Sequence, residues 1–210
     1  MKRLHKVKIE WSSSFAYAIG IIATDGNLSP DGRHMNVTSK DNELITNFKK
    51  ALHLQNKIGK KARGGSTIKK YFVVQFGDKS FYEFLLTIGL MPAKSKVIGS
   101  LKIRSKYFSD FLRGCLDGDG NINVFRHPES RHPQLRFRLC SASHLFLEWL
   151  RSEIRSHFKV RGGWIENKTR EQVLCYGKND SIKILHFIYN NAEIYLNRKY
   201  KIAEAFLGTP

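Results

Sequence analysis

Two short segments of this chain carry the same unusual pattern. Ala18-Ile19-Gly20-Ile21-Ile22-Ala23-Thr24-Asp25-Gly26 and Leu112-Arg113-Gly114-Cys115-Leu116-Asp117-Gly118-Asp119-Gly120 each hold a small or apolar run, a glycine inside it, and an Asp-Gly end. The closing aspartates are separated by close to half of the 210 residues. Each segment reads as a helix, and Gly inside a helix costs roughly 1 kcal/mol relative to Ala. Gly20 and Gly114 bear that cost in the same register. The usual compensation is the close approach of another backbone, so the two helices are expected to pack glycine face to glycine face. Each then stops at Gly26 or Gly120, a common glycine position at a helix C-terminus.

The surrounding pattern repeats too. Ser12, Ser13 and Ser14 offer N-caps to the first helix, and Ser109 and Asp110 to the second. The first helix is apolar on nearly every face (Phe15, Ala16, Ala18, Ile19, Ile21, Ile22), the mark of a buried helix. In the first half His34–Ser39 and Tyr71–Phe76 read as strands, Asn42–Leu54 as an amphipathic helix, and Phe81–Leu86 as a short helix. In the second half Asn121–Phe125, Leu135–Leu139 and Gln172–Tyr176 read as strands, and Leu145–Phe158 and Ser181–Asn190 as helices. The stretches Ser29–Gly32, Lys60–Ser66, Arg126–Pro133 and Val160–Arg170, rich in Gly, Pro and basic residues, read as loops. The organisation is a tandem pseudo-repeat, with an expected division into residues 1–105 and 106–210.

Charge narrows the partner. The net charge is +18. Nineteen basic and seven acidic side chains fall in residues 1–105, and seventeen and eleven in residues 106–210. An excess spread over both halves makes a long basic surface rather than a basic tail, which suits a polyanion, nucleic acid before an anionic membrane. The hydrophobic fraction of 41% supports a packed core. Cys115, Cys140 and Cys175 form no Cys-x-x-Cys, so neither a disulfide framework nor a zinc site is indicated. No signal peptide or membrane span is read, and the expectation is an intracellular protein of the cytoplasm, nucleoid or organelle matrix.

An Asp at a helix C-terminus faces the negative end of the dipole and unpaired carbonyls. Two such ends side by side would set Asp25 against Asp119, which is worse. A divalent cation reverses the sign, because carboxylates and spare backbone carbonyls are what Mg²⁺ accepts. A single Asp-Gly step also makes a turn; two copies in matched context favour the metal.

The two segments resemble the paired LAGLIDADG signature of single-chain homing endonucleases. Phe111–Gly120 is a close match. The first copy has Ala23 where the signature has its first Asp, but the acidic position that carries the metal in this family is the one matched by Asp25. Gly89-Leu90-Met91-Pro92-Ala93-Lys94-Ser95 and Tyr195-Leu196-Asn197-Arg198-Lys199-Tyr200 are similar to the segments that follow the last strand of each half and often carry an active-site lysine. That match gives the role to Lys94, with Lys96 as its rival, and to Lys199. The resemblance implies an α+β fold of two pseudo-symmetric αββαββα halves packed through the signature helices, with two antiparallel sheets forming a DNA-binding saddle. It implies double-strand cleavage across the minor groove of a long target with Mg²⁺, with Mn²⁺ substituting and Ca²⁺ binding without turnover.

On that reading Asp25 and Asp119 hold Mg²⁺ over the scissile phosphates, carbonyls of Thr24 and Gly118 complete the shell, and Lys94 and Lys199 stabilise phosphate charge or orient water. Alternate strand residues face DNA, which selects Asn36, Thr38, Gln75, Arg136 and Arg138, with Arg126 and Arg131 beside them, for base contacts. Lys60, Lys61, Arg63, Lys69, Lys70, Lys168 and Arg170 are expected on phosphates. The expected partner is double-stranded DNA, the expected state a monomer. Intron RNA is the alternative partner, as for a splicing maturase on the same fold. A regulator that kept the fold and lost catalysis is a further alternative; the paired acids and the lack of a helix-turn-helix signal count against it. The lack of protein-splicing blocks disfavours an endonuclease housed in an intein.

Overall fold

The structure is a computed structural model that describes residues 6–62, 67–126, 128–129, 132–169 and 171–208. The first half runs α1 (Ser13–Asp25), β1 (Gly26–Leu28), β2 (His34–Ser39), α2 (Asn42–Ala51), β3 (Gly59–Lys61), β4 (Tyr71–Gly77) and α3 (Lys79–Thr87). The second runs α4 (Phe108–Asp119), β5 (Gly120–Phe125), β6 (Gln134–Ser141), α5 (His144–Phe158), β7 (Trp164–Asn167), β8 (Gln172–Tyr176) and α6 (Lys178–Tyr189), and α7 (Asn197–Leu207) follows. Each half is αββαββα, and α7 is an addition. Two antiparallel four-stranded sheets have matching orders, β1-β2-β4-β3 and β5-β6-β8-β7. The expected α+β fold is the observed one.

Local chemistry accounts for most of the helix starts. The Ser12 hydroxyl accepts from Phe15 N–H at 3.1 Å, Asp41 caps α2 through Glu43 N–H at 3.0 Å, and Asp78 caps α3 through Phe81 N–H at 3.1 Å. The second signature helix departs from expectation. Its N-cap is Tyr107, which makes no side-chain cap bond, so Ser109 and Asp110 lie inside the helix. A 3-10 turn at Ser105–Tyr107 leads into it, and Asp110 pairs with Arg113 one turn on, at 2.6 Å.

The other departures are short elements. β1, β3, β7 and α7 carry no readable signal, and β3 and β7 enter stretches expected as loops. β3 and β7 are edge strands that pair only with β4 and β8. Partner and register, rather than their own alternation, make them strands.

Strand alternation sets the layers. In β6, Leu135, Phe137 and Leu139 are buried, and Gln134, Arg136 and Arg138 take the opposite face. The buried faces join one core with the helices. At its centre α1 lies on α4. A Cβ built on Gly20 would stand 2.2 Å from the Phe111 carbonyl oxygen, and one on Gly114 2.1 Å from that of Tyr17. The expected glycine-to-glycine packing is therefore the actual contact, at a distance no other residue permits. No helix among the described residues is long and apolar enough to cross a membrane.

Candidate functional site

Because α1 and α4 pack along their glycine faces, they end together. Asp25 is the last residue of α1 and Asp119 the last of α4. The capping glycines are not there for positive φ: Gly26 (φ −78°) and Gly120 (φ −96°) are extended. A Cβ on Gly26 would lie 2.7 Å from Ile22 Cα, and one on Gly120 2.6 Å from Leu116 Cα. The chain folds back so tightly into β1 and β5 that a side chain has no room. Gly118 is forced by the partner helix instead. A Cβ there would come within 2.0 Å of Thr24 Oγ1 and 2.8 Å of Asp25 Oδ2. The Asp25 carboxylate thus reaches across the seam onto α4. The Thr24 hydroxyl turns back to the carbonyls of Gly20 and Ile21, both at 3.2 Å.

Lys94 and Lys199 lie beneath this pair, and neither is a surface charge. Lys94 is 5% exposed and donates to the Gly26 carbonyl; its rival Lys96 is exposed. Lys199 is 3% exposed and donates to the carbonyls of Leu116, of Asp117 at 3.1 Å and of Gly120 at 2.7 Å. Each ammonium thus donates to carbonyls at or just past a helix C-terminus, where the dipole favours a cation; that of Leu116 also accepts from Gly120 N–H. Burial pushes Lys94 down to about 8, opposed by the charges of Asp119 and then Asp25. Burial likewise pushes Lys199 down to about 8, opposed most by Asp117 and then also by Asp25 and Asp119. Both lysines therefore share a field with both carboxylates.

The site opens into a polar cleft of about 490 Å³ whose walls include Thr24, Asp25, Asp119, Lys94, Lys61 and the β2 residues Asn36 and Thr38. A smaller cleft of about 230 Å³ adjoins it, where Asp119, Lys94 and Thr24 meet Cys140 and Glu171. No group of three or more His, Cys, Asp or Glu able to hold a metal occurs among the described residues. The donor set is two carboxylates beside helix-end carbonyls. It fits Mg²⁺, which is held by one or two carboxylates plus water and substrate phosphate oxygens.

Three polar residues of the helix pair carried no assigned role in the sequence: Tyr17, Arg113 and Asp117. Asp117 is 1% exposed; its Oδ2 accepts from Tyr17 Oη and from Leu196 N–H, both at 2.9 Å. Burial raises it to about 6. Arg113 is buried and donates to the carbonyls of Ile194, at 2.9 Å, and Ile188. The available signal was a basic and an acidic residue one turn apart, Arg113 and Asp117, in a helix otherwise apolar there. Both tie α4 to the segment that delivers Lys199.

The sheets turn their open faces outward. Asn36 and Gln75 are cross-strand partners, as are Asn123 and Arg136. The Arg136 guanidinium lies 4.7 Å from the Phe125 ring centroid and 5.6 Å from that of Trp164, so it is stacked rather than loose. Arg138 faces the same way but pairs with Glu166 at 3.4 Å. Lys69, Lys70, Arg126 and Lys168 are exposed, Lys61 is half-buried at the cleft, and Lys60 lies 5.3 Å from the Phe72 centroid. Arg63, Arg131 and Arg170 fall outside the described residues.

No family model and no curated protein matches the chain. Solved structures do. I-DmoI in complex with DNA and Ca aligns with a TM-score of 0.58 at 18% identity, over 90% of this chain and 96% of that one. The LAGLIDADG homing endonuclease I-GzeII, in complex with its DNA target, aligns at 0.58 and 14% identity, over 92% and 88%. Full-length DUF199/WhiA from Thermatoga maritima aligns at 0.53 and 14% identity, over 93% of this chain but 61% of that one. This chain therefore spans about three fifths of the latter protein. At these identities the likeness shows the fold alone, and that fold is the two-repeat LAGLIDADG fold.

Proposed function

We propose that this protein is a site-specific double-strand DNA endonuclease, with the half formed by residues 1–105 serving one strand and that formed by 106–210 the other. The carrying observation is the convergence of Asp25 and Asp119 at paired helix ends, over two buried lysines, in a cleft walled by sheet residues. Mg²⁺ held by Asp25 and Asp119, with Thr24 and Gly118 carbonyls, would activate water and offset the charge developing on the scissile phosphate and leaving oxygen. I-DmoI in complex with DNA and Mn is in line with divalent-metal use on this fold.

The chain's own residues do the positioning. Two carboxylates side by side repel a phosphate; the ammoniums of Lys94 and Lys199, fixed by carbonyls just below, offset that repulsion without touching the substrate. Arg136, stacked on Phe125 and Trp164, presents a guanidinium whose orientation is set before DNA arrives, so less entropy is lost on pairing with guanine. Asn36 and Gln75 suit adenine. The exposed lysines take phosphates, which position but do not specify. One chain supplies both carboxylates, so the acting unit is a monomer on double-stranded DNA.

A cleavage selection on a large DNA library tests this, run with Mg²⁺, with EDTA and with substituted protein. The expected result is cutting at one long site, Mg²⁺-dependent, with Asp25→Asn or Asp119→Asn slowing double-strand cutting by about a hundredfold or more while duplex binding persists. Wild-type cutting by either variant would overturn the metal assignment. Duplex binding without cutting would make the protein a DNA-binding regulator, and RNA binding without duplex preference a maturase.

A further inference from the structure

A second basic site lies on the helix-covered side of the second sheet, across it from Arg136 and Arg138. A cleft of about 460 Å³ there is walled by Arg151 and Arg155 of α5 and by Arg161 of the loop into β7, with Ser152 beside them. Arg155 and Arg161 are exposed. Gly163 lines its floor with φ +107°, a conformation glycine alone adopts without strain. A Cβ on Gly163 would lie 2.7 Å from the Tyr176 ring, so the glycine lets the backbone rest on that side chain. Tyr176 is 0% exposed, and its hydroxyl, 3.2 Å from the same built Cβ, has no hydrogen-bond partner among the described residues. An unpartnered buried hydroxyl costs about 1–3 kcal/mol, but Tyr176 is not among the residues that wall the cleft, so the arginines, not this hydroxyl, face its opening.

The acids nearby leave the cleft basic. Glu148 pairs with Arg151 at 2.7 Å, and Asp180 accepts from Gly162 N–H at 2.7 Å. Arg151 holds its own pairing through one edge of a five-donor fork, and Arg155 and Arg161 add two further guanidinium groups. Such groups from two elements, converging on an open cleft, match the geometry of phosphate.

We propose that this cleft binds backbone phosphates of a nucleic-acid strand that does not occupy the saddle, with Arg151, Arg155 and Arg161 as donors. The open walls suit a passing chain rather than an enclosed small ion. The site is independent of Asp25 and Asp119, and of whether the protein cuts DNA.

The test is binding of a labelled short single-stranded RNA to the full chain while excess duplex DNA fills the saddle, with inorganic phosphate as competitor. Wild-type protein should hold the strand, and the Arg155→Gln/Arg161→Gln variant should bind roughly tenfold more weakly or worse. Its salt slope should fall by about 0.7 for each phosphate no longer neutralised, with duplex cutting unchanged. Glu148→Gln frees Arg151 and should tighten binding. The Asp25→Asn/Asp119→Asn variant should retain strand binding even if the nuclease reading fails. Unchanged affinity in the arginine variant, or binding of inorganic phosphate with no strand binding, would overturn the proposal.

Discussion

The two signature helices end in the same place by different means. At the end of α1 the chain reads Ala23-Thr24-Asp25-Gly26; Ala23 is packed in the core and Lys94 meets one carbonyl, that of Gly26. At the end of α4 it reads Asp117-Gly118-Asp119-Gly120; Lys199 meets three carbonyls, and Asp117 is latched to Tyr17 and Leu196. The first end is held by apolar packing and a threonine, the second by a buried polar network. Both present a carboxylate at a helix end over a buried ammonium. A pseudo-symmetric site thus requires matched backbones and matched charges, not matched neighbours.

The glycine contact tests the symmetry itself and carries the largest expected effect. Gly20→Ala and Gly114→Ala should each cost about 3 kcal/mol or more, since the added methyl meets backbone rather than a movable side chain. Denaturant titration would check this. Costs differing by more than about 1 kcal/mol would mean that the helix pair relaxes on one side.

Next come the lysines. Lys199→Met takes a donor from three carbonyls, of which that of Leu116 keeps the Gly120 N–H, and Lys94→Met takes one from a single carbonyl, so the first should cost more, by about 1–2 kcal/mol. Equal unfolding midpoints would show that the number of capped carbonyls does not distinguish the two ends. Both native pKa values lie below the ordinary 10.5, so between about 8 and 10.5 the unfolded chain binds more protons. Stability from these groups should therefore rise with pH across that window.

A smaller effect separates Thr24 from Gly118. Gly118→Ala drives a methyl into Thr24 Oγ1 and should cost about 1–3 kcal/mol. Thr24→Gly in the same chain should recover most of it. A strictly additive double variant would mean that the two side chains do not share this space.

The smallest effect belongs to Asp117. Its native pKa of about 6 lies above the ordinary 3.8, so the folded state holds the proton longer. Its contribution is full below about pH 4 and is lost as pH rises through about 6. Asp117→Asn should flatten that segment of the stability–pH curve while keeping an acceptor for Tyr17 and Leu196. An unchanged curve would place the titration elsewhere.

Much of this was legible in the chain. The doubled Gly and Asp-Gly spacing located α1, α4 and their contact, because a helical glycine that recurs in register has few physical excuses. Alternation located β2, β4, β5, β6 and β8 and put Phe137 inside with Arg136 and Arg138 outside. The serine caps offered for α4 were misleading, since Ser109 and Asp110 lie inside the first turn and a 3-10 turn precedes them. β3 and β7 were illegible because three- and four-residue edge strands take their conformation from a neighbour.

By itself the sequence determined what is local or periodic: two equivalent glycine-bearing helices, the sheets behind them, and a basic surface around a pair of acids. Propensity, side-chain period and charge act over a few residues and need no partner to be read. Tertiary structure alone decided that Lys94 and Lys199 are buried caps and that Asp117 is a latch. It alone set Arg136 on a stack of rings, Arg138 on Glu166, and three arginines around one cleft. Each of those depends on desolvation and on contacts between residues far apart in the chain, and neither has a counterpart in local spacing.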